Sequence, residues 1–348
     1  LAETNENNLL RDAFVRHQIG LLRVSAGQAE IALEILDSSE NRLRVLIEQF
    51  LTVLQDKRVD LTSTAVRSKL DALRRRIEAI RSRAMSAILE QMEDDARETV
   101  IAQWAWLGLT LDTITAGRIH VESPGRARLA REMVSKLPFE GRTLRQWVRD
   151  TLADDVQRIH DTITTGLVQD QSKRTILQSV LGTARMDGGD GQTHRTRHFL
   201  RILIRTSNTH FAAQAVDAMT TNFARDLYVA VLDGATTAIC RGLDGGIYRQ
   251  GEGPMPPVHH GCRSHRQPII PGQPAPTRIG YQDWMRTQPP AFQDKVLGKV
   301  QGKLFRAGNF PLPKFIDYKG DPFTQAQLAR FNRQAFIDAG LDPDKYTS

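Results

Sequence analysis

The stretch from Leu227 to Ile270 (LYVAVLDGATTAICRGLDGGIYRQGEGPMPPVHHGCRSHRQPII) constrains this chain more than any other. It holds both cysteines, Cys240 and Cys262, and three of the nine histidines, His259, His260 and His265. Before and after it, apolar residues recur at helical spacing; within it the pattern turns to short runs punctuated by Gly and Pro. Leu227 to Leu232 is an apolar run suited to a buried strand, closed by Asp233-Gly234. Asp244-Gly245 is a hairpin-type dipeptide, because Gly tolerates the positive φ such turns need. Pro256-Pro257 then forces an extended approach to the histidines, since each proline fixes its own φ and restricts its predecessor.

Two thiols and two imidazoles are the ligand types of a tetrahedral zinc site. His259-x-x-Cys262 and Cys262-x-x-His265 have the short spacing that lets neighbouring ligands reach one ion. The expected set is Cys240, His259, Cys262 and His265, with zinc as the cofactor and His260 outside it. A disulfide between the cysteines, or two unligated thiols, are the alternatives, and no CxxC pair is present.

Ala235 to Pro268 resembles the signature of the phage head morphogenesis family, the Mu F-like minor head proteins. The matching residues are Cys240, Leu243-Asp244-Gly245, Pro256-Pro257-Val258-His259, Cys262-Arg263 and Pro268. Ser264 stands where that family usually has its last cysteine, with His265 next door as a substitute ligand. Upstream, a helix, Gly166, Ser172 and a following short helix are similar to the family too, and Arg205-Thr206 falls where it often has an Arg-Thr pair. Downstream, the string from Trp284 through Phe292, Leu297-Gly298 and Leu304-Phe305-Arg306 to Gly308 looks like a minor head protein tail. The resemblance thus spans Pro138 to Gly308, about half of the 348 residues.

It implies a non-enzymatic component of a tailed phage or prophage, made in the host cytoplasm and located in the virion. The partners it implies are the portal and other capsid proteins, further copies of the chain, and the packaged DNA.

Length suggests roughly two or three modules. A division into 1–122 (long helices), 123–190 (helical), 191–272 (the Cys/His core) and 273–348 (helical tail) follows the breaks at Ser123-Pro124-Gly125, Asp187-Gly-Gly-Asp-Gly191 and Pro271 to Pro276. Lys and Arg outnumber Asp and Glu by 47 to 40, a net charge of +7, which suits a nucleic-acid neighbour. Two cysteines exclude a disulfide framework and fit a reducing compartment. The most apolar run, Val100 to Leu111, is too short to span a bilayer, so a soluble protein with no membrane partner is expected.

Residues 1 to 58 carry Leu43, Leu46, Ile47, Phe50, Leu51 and Leu54 on one helical face, and a polar break follows at Asp60 to Thr64. Val66, Leu70, Leu73, Ile77, Ile80 and Ala84 then form a heptad-like seam. It fits either an antiparallel helix pair within the chain or a coiled-coil contact with another subunit. Arg74-Arg75-Arg76, Arg81 and Arg83 make this second helix basic, as a solvated face or a nucleic-acid contact. Gly166 is expected to cap the helix begun at Leu144, and Ser172 to start the next. A long helix is expected from Thr193 to Ala224; its His194 and His198, four residues apart, have no evident third ligand nearby.

The fold class expected is mainly α with a small α+β subdomain, long helices flanking a β-hairpin and loop knot that zinc could pin. No phosphate loop, nucleophile elbow or HExxH is present. The rival enzyme is a metal-dependent nuclease on His259 and His260, which also needs an Asn or His on a helix directly after a hairpin. Asn309 and Asn332 lie far downstream. A zinc-stabilised DNA-binding module is the third alternative.

Overall fold

A computed structural model of the chain describes residues 5–55, 62–122, 127–186, 188–308, 310–317 and 321–347. The expected breaks at Asp60 and at Ser123-Pro124-Gly125 lie outside these residues, as do Asp187 and Asn309. Two long helices come first, α1 (Glu6–Gln55) and α2 (Thr64–Ile114), then α3 (Ala127–Lys136), α4 (Leu144–Val168), α5 (Lys173–Leu181) and α6 (Gln192–Met219). The sheet region follows as β1 (Arg225–Val229), α7 (Ala238–Leu243), β2 (Ile247–Arg249) and β3 (His265–Pro268). Short helices α8 (Tyr281–Arg286), α9 (Pro290–Leu297), α10 (Lys299–Arg306), α11 (Gln325–Phe331) and α12 (Arg333–Asp338) complete the chain. The fold is mainly α with one small antiparallel sheet, ordered β2-β1-β3.

These residues group into two compact units. One comprises Leu1–Gly20, Gln103–Pro124 and Ala212–Ser348; the other comprises Leu21–Ala102 and Gly125–Phe211. The four consecutive segments drawn from the sequence divide the chain differently, because the unit boundaries fall inside α1, α2 and α6, where no local signal marks them.

In the second unit the seam is filled from within the chain. Leu70, Leu73 and Ile77 of α2 pack with Leu43, Ile47 and Leu51 of α1, and with Ile159 and Ile163 of α4 and Ile176 and Val180 of α5. Arg81 departs from expectation: it is fully buried, with its Nε 2.9 Å from Asp155 Oδ2 on α4. Its Nη1 donates to Ser39 Oγ on α1 at 2.7 Å, and Thr196 of α6 donates to the other Asp155 oxygen at 2.6 Å. One buried ion pair therefore ties four helices, with each partner hydrogen-bonded once to a third or a fourth helix.

Gly166 is not a cap, since α4 runs two residues beyond it to Val168. It is buried against α5, where a Cβ would come within 2.6 Å of Ile176 Cγ1. Ser172 does begin α5, accepting the Thr175 N–H at 3.2 Å, and Thr324 with Gln327 forms a full capping box on α11.

In the first unit, β1 is the central strand. Tyr228 pairs with Arg266 and Val229 with His265 on one side, and Leu227 pairs with Ile247 on the other. The first turn of α1 is bonded to β3 and the residues after it: Asn7 Oδ1 accepts the Ile270 N–H at 2.8 Å, and Gln267 donates to the Asn7 carbonyl at 3.2 Å. The tail has its own core, in which Tyr281, Met285, Leu304, Phe305, Leu328 and Phe336 are buried together.

Candidate metal centre

Cys240 sits on α7, in the connection between β1 and β2, where the sequence suggested the arm of a hairpin. Three features hold that short helix. Thr236 donates to the Val231 carbonyl at 2.6 Å, and Arg241 donates to the carbonyls of Thr236 and Val296. Asp244 at the helix end is a buried anion: it accepts the backbone N–H groups of Ala230 and Tyr281 and both terminal nitrogens of Arg278. Asp244-Gly245 does form the expected tight turn, with the Gly246 N–H donating to the Leu243 carbonyl at 3.0 Å and Gly245 at φ +83°, but it joins α7 to β2 and does not link two paired strands.

The second segment is a turn. Cys262 N–H donates to the His259 carbonyl at 3.1 Å, and Gly261 has φ +74°, a value that L-residues other than Gly adopt at a cost. This brings the His259 ring and the Cys262 sulfur to the same side. Arg263, directly after, makes a bidentate pair with Asp233 at 2.5 and 2.7 Å, which fastens the turn to the chain leading into α7.

Cys240, His259 and Cys262 offer three ligand atoms within 4.8 Å of one another, the single group of this kind among the described residues. The two sulfurs are 3.7 Å apart and the thiols are free, so no disulfide joins them. His259 Nε2 lies 3.2 Å from the Cys240 sulfur and 2.8 Å from the Thr237 hydroxyl. Its Nδ1 is 2.8 Å from the His260 carbonyl, which can only accept, so Nδ1 carries the proton and Nε2 presents its lone pair to the cluster. A metal-ligating imidazole is commonly oriented through its other nitrogen in this way. The arrangement can hold a metal ion.

The surroundings favour one negative sulfur. Cys240 is pulled well below the usual thiol range, first by the Cys262 thiol and, against the cost of burial, by the hydroxyls of Ser264 and Tyr228. Cys262 is pushed up, because its proton is shared with the Cys240 sulfur and its surroundings are dry, although the Val258 and Ser264 N–H groups point at it. The pair therefore shares one proton. Tyr228, buried on β1 with its hydroxyl 3.4 Å from Cys240, is held protonated by burial.

His265, expected as the fourth ligand, is not in this group. It lies on β3 with its ring stacked on Phe14 of α1 at 5.5 Å, and among the described residues neither ring nitrogen has a hydrogen-bond partner. Burial, then Arg278 and His17, lowers its proton affinity. Beside it, Trp106 stacks on His17 at 3.8 Å and meets Phe14 edge-on at 4.9 Å, so these rings form an aromatic layer. Ser264 faces the cluster instead, hydrogen-bonded to the Cys240 sulfur. Tyr228 and Thr237 were not picked out from the sequence. Tyr228 could have been found from strand alternation, whereas nothing local marks Thr237.

Compared with family models, with curated proteins and with solved structures, the chain finds no match in any of the three. The likeness to the head morphogenesis family therefore rests on the residues quoted for it. No helix among the described residues is long and apolar enough to cross a membrane.

Proposed function

We propose that this chain is a minor head protein of the Mu F-like kind, a non-enzymatic component of capsid assembly in a tailed phage or prophage. In this role it associates with the portal and becomes part of the virion, with DNA and further copies of the chain as its other neighbours. A structural zinc ion held by Cys240, His259 and Cys262 stiffens the part of the chain that carries the family likeness.

The observation that carries this proposal is the convergence of Cys240 with two residues 19 and 22 positions further on, all three inside the block that resembles the family. The separations suit zinc. With Zn–S near 2.3 Å and tetrahedral angles, two sulfurs sit about 3.8 Å apart, and a sulfur and an imidazole nitrogen about 3.6 Å apart. The chain has 3.7 and 3.2 Å at the corresponding edges. Both sulfurs are buried, and the hydroxyls of Tyr228 and Ser264 crowd Cys240, which suits a closed structural site better than an open catalytic one.

Two measurements test the proposal. Elemental analysis of the purified chain should give one zinc per chain, and Cys262→Ser should release it and lower the melting temperature. Unchanged metal content and melting temperature in that variant would remove the zinc centre. Co-expression with the portal protein from the same phage or prophage should yield a complex. Absence of a complex, together with Mg²⁺- or Mn²⁺-dependent DNA cleavage lost in His259→Ala, would replace this role with a nuclease.

A further inference from the structure

The second unit contains an open cavity of about 750 Å³, walled by α4, by the first turns of α6 and by Arg142 just before α4. That volume lies within the range of small-molecule sites, roughly 300–1,000 Å³. No residue of the Cys/His cluster lines it. Its chemistry is uneven. On the α4 side the charges are matched: Arg142 pairs with Asp150 at 3.3 Å, and Arg158 pairs with Asp154. The α6 side is unmatched. His194, Arg195 and His198 line the cavity there, and among the described residues none of them has a hydrogen-bond or ion-pair partner.

Basic groups at the start of a helix are also badly placed. The N-terminal end of the macrodipole is positive, so acidic residues are favoured there. The first turn of α6 has none. Arg195 and Arg158 line the same cavity, and the Arg195 charge adds to burial in depressing the proton affinity of Arg158. An anion seated here would offset both the placement of basic groups at the positive helix end and the repulsion between Arg195 and Arg158, and helix N-termini are suited to phosphate in particular.

The remaining wall is aromatic. The Trp147 and Phe199 rings stand 6.2 Å apart at 45°, and the Arg142 guanidinium lies 4.6 Å over the Trp147 ring. Trp147 Nε1 donates to the Phe139 carbonyl at 3.1 Å, which holds that ring in place. Phe139 lies nearly parallel to Trp147 on another side, at 6.1 Å. A bare inorganic anion would make no use of these rings, whereas a planar base would take the place of the exposed Arg142 side chain over Trp147 and stack there.

We propose that this cavity binds a nucleotide, free or as the phosphorylated end of a nucleic-acid strand. His194, Arg195 and His198 receive the phosphate, and Trp147 and Phe199 receive the base. The site stands apart from the role proposed above, because it shares no residue with the Cys/His cluster.

The test uses the full chain. AMP, ATP, a short 5′-phosphorylated single-stranded oligonucleotide and inorganic phosphate are titrated by calorimetry, with tryptophan fluorescence in parallel. Saturable binding of at least one nucleotide species is expected. Arg195→Ala should weaken it about tenfold or more, the loss of one charge-assisted contact, with unchanged circular dichroism. Arg74→Ala, on the exposed face of α2, should leave it unaltered. Trp147→Ala should weaken nucleotide binding in the calorimeter and remove most of the fluorescence change, while leaving any weak binding of inorganic phosphate as it is. Preference for mononucleotides would identify a free nucleotide as the ligand, and preference for the oligonucleotide a strand end. The proposal is overturned if no nucleotide binds at millimolar concentration, if inorganic phosphate binds as tightly, or if Arg195→Ala and Arg74→Ala weaken binding equally.

Discussion

Strand parity decides which residues can reach the Cys240 sulfur. Consecutive residues of an extended chain point to opposite faces, and residues paired across a sheet share a face. Tyr228 pairs with Arg266, so Tyr228 and Ser264 look toward Cys240, while His265, paired with Val229, looks toward Phe14 of α1. The x-x spacing from Cys262 to His265 suggested a chelate because it was read as a turn. The chain turns only between His259 and Cys262 and is extended from His265 onward. Three of the four residues expected as ligands come together in one cluster, as side-chain type and spacing suggested, and His265 stands outside it because of its backbone conformation. Accordingly, His265→Phe is expected to leave metal content unchanged, whereas His259→Ala should lower it. Ser264→Cys should retain metal at chelator concentrations that strip the parent chain, because it adds a thiolate beside Cys240. Elemental analysis after dialysis against a chelator series checks all three. Loss of metal in His265→Phe would show that His265 is a ligand after all.

Another residue sets a pH dependence. His210 is buried between Phe139 and Phe211, at ring distances of 5.3 and 4.9 Å, and burial lowers its proton affinity to a pKa of about 4. Between that value and the ordinary 6.5, the unfolded chain takes up a proton that the native chain refuses. Its contribution to stability is therefore complete above pH 6.5 and is lost as pH falls toward 4. The loss approaches about 3 kcal/mol when protonation is forced. Denaturant unfolding of His210→Gln between pH 7 and 4 should show a shallower decline than the parent. An equal slope would mean that His210 does not couple folding to pH.

Among the elements, α2 shows what a periodic pattern reveals and conceals. The alternation of four and three through Leu70, Leu73, Ile77 and Ala84 located a packed seam and allowed either an internal or an external partner. The internal one holds, because α1, α4 and α5 supply the opposing side chains. Arg81 sits on that same stripe, four after Ile77 and three before Ala84. It was read with Arg74-Arg75-Arg76 as part of a basic face because residue type was weighed over position. Its partner, Asp155, lies far away in sequence, so no local pattern announces the pair. Breaking a buried ion pair leaves one charge stranded, at a cost of about 3–5 kcal/mol, whereas replacing both partners with apolar residues is often neutral. Arg81→Met alone should therefore lower stability by about that amount, and adding Asp155→Leu should recover most of it. Chemical denaturation of the four members of the cycle measures the coupling. Additive losses would show that the two residues act independently.

For the whole molecule, the helical composition and the position of the sheet region were readable, because both are written in local periodicity and in Gly/Pro punctuation. The grouping of the chain was not. Each unit gathers stretches that are distant in sequence, and the bonds that join them, such as Asn7 to Ile270, involve residues with nothing unusual beside them. A protein lacking residues 1–122 illustrates the point: the sequence division treats 123–348 as intact modules. The α4–α5 layer would then lose its cover of Leu43, Ile47, Leu70 and Ile77. Such a fragment is expected to give a broad, weakly cooperative melt and rapid proteolysis within α4 and α5. A sharp melt and protease-resistant core would show that the long helices are dispensable.

The bond from Asn7 also carries a timetable. Its partner, Ile270, is 263 positions further along. At typical synthesis rates the first turn of α1 is therefore made roughly 10–50 seconds before the residue it must grip exists. Throughout that interval Leu10 and Phe14, buried in the finished protein, lack the cover of the sheet region. Newly made chains should accordingly be clients of chaperones that hold nascent apolar segments, and the demand should end only once the sheet has been translated.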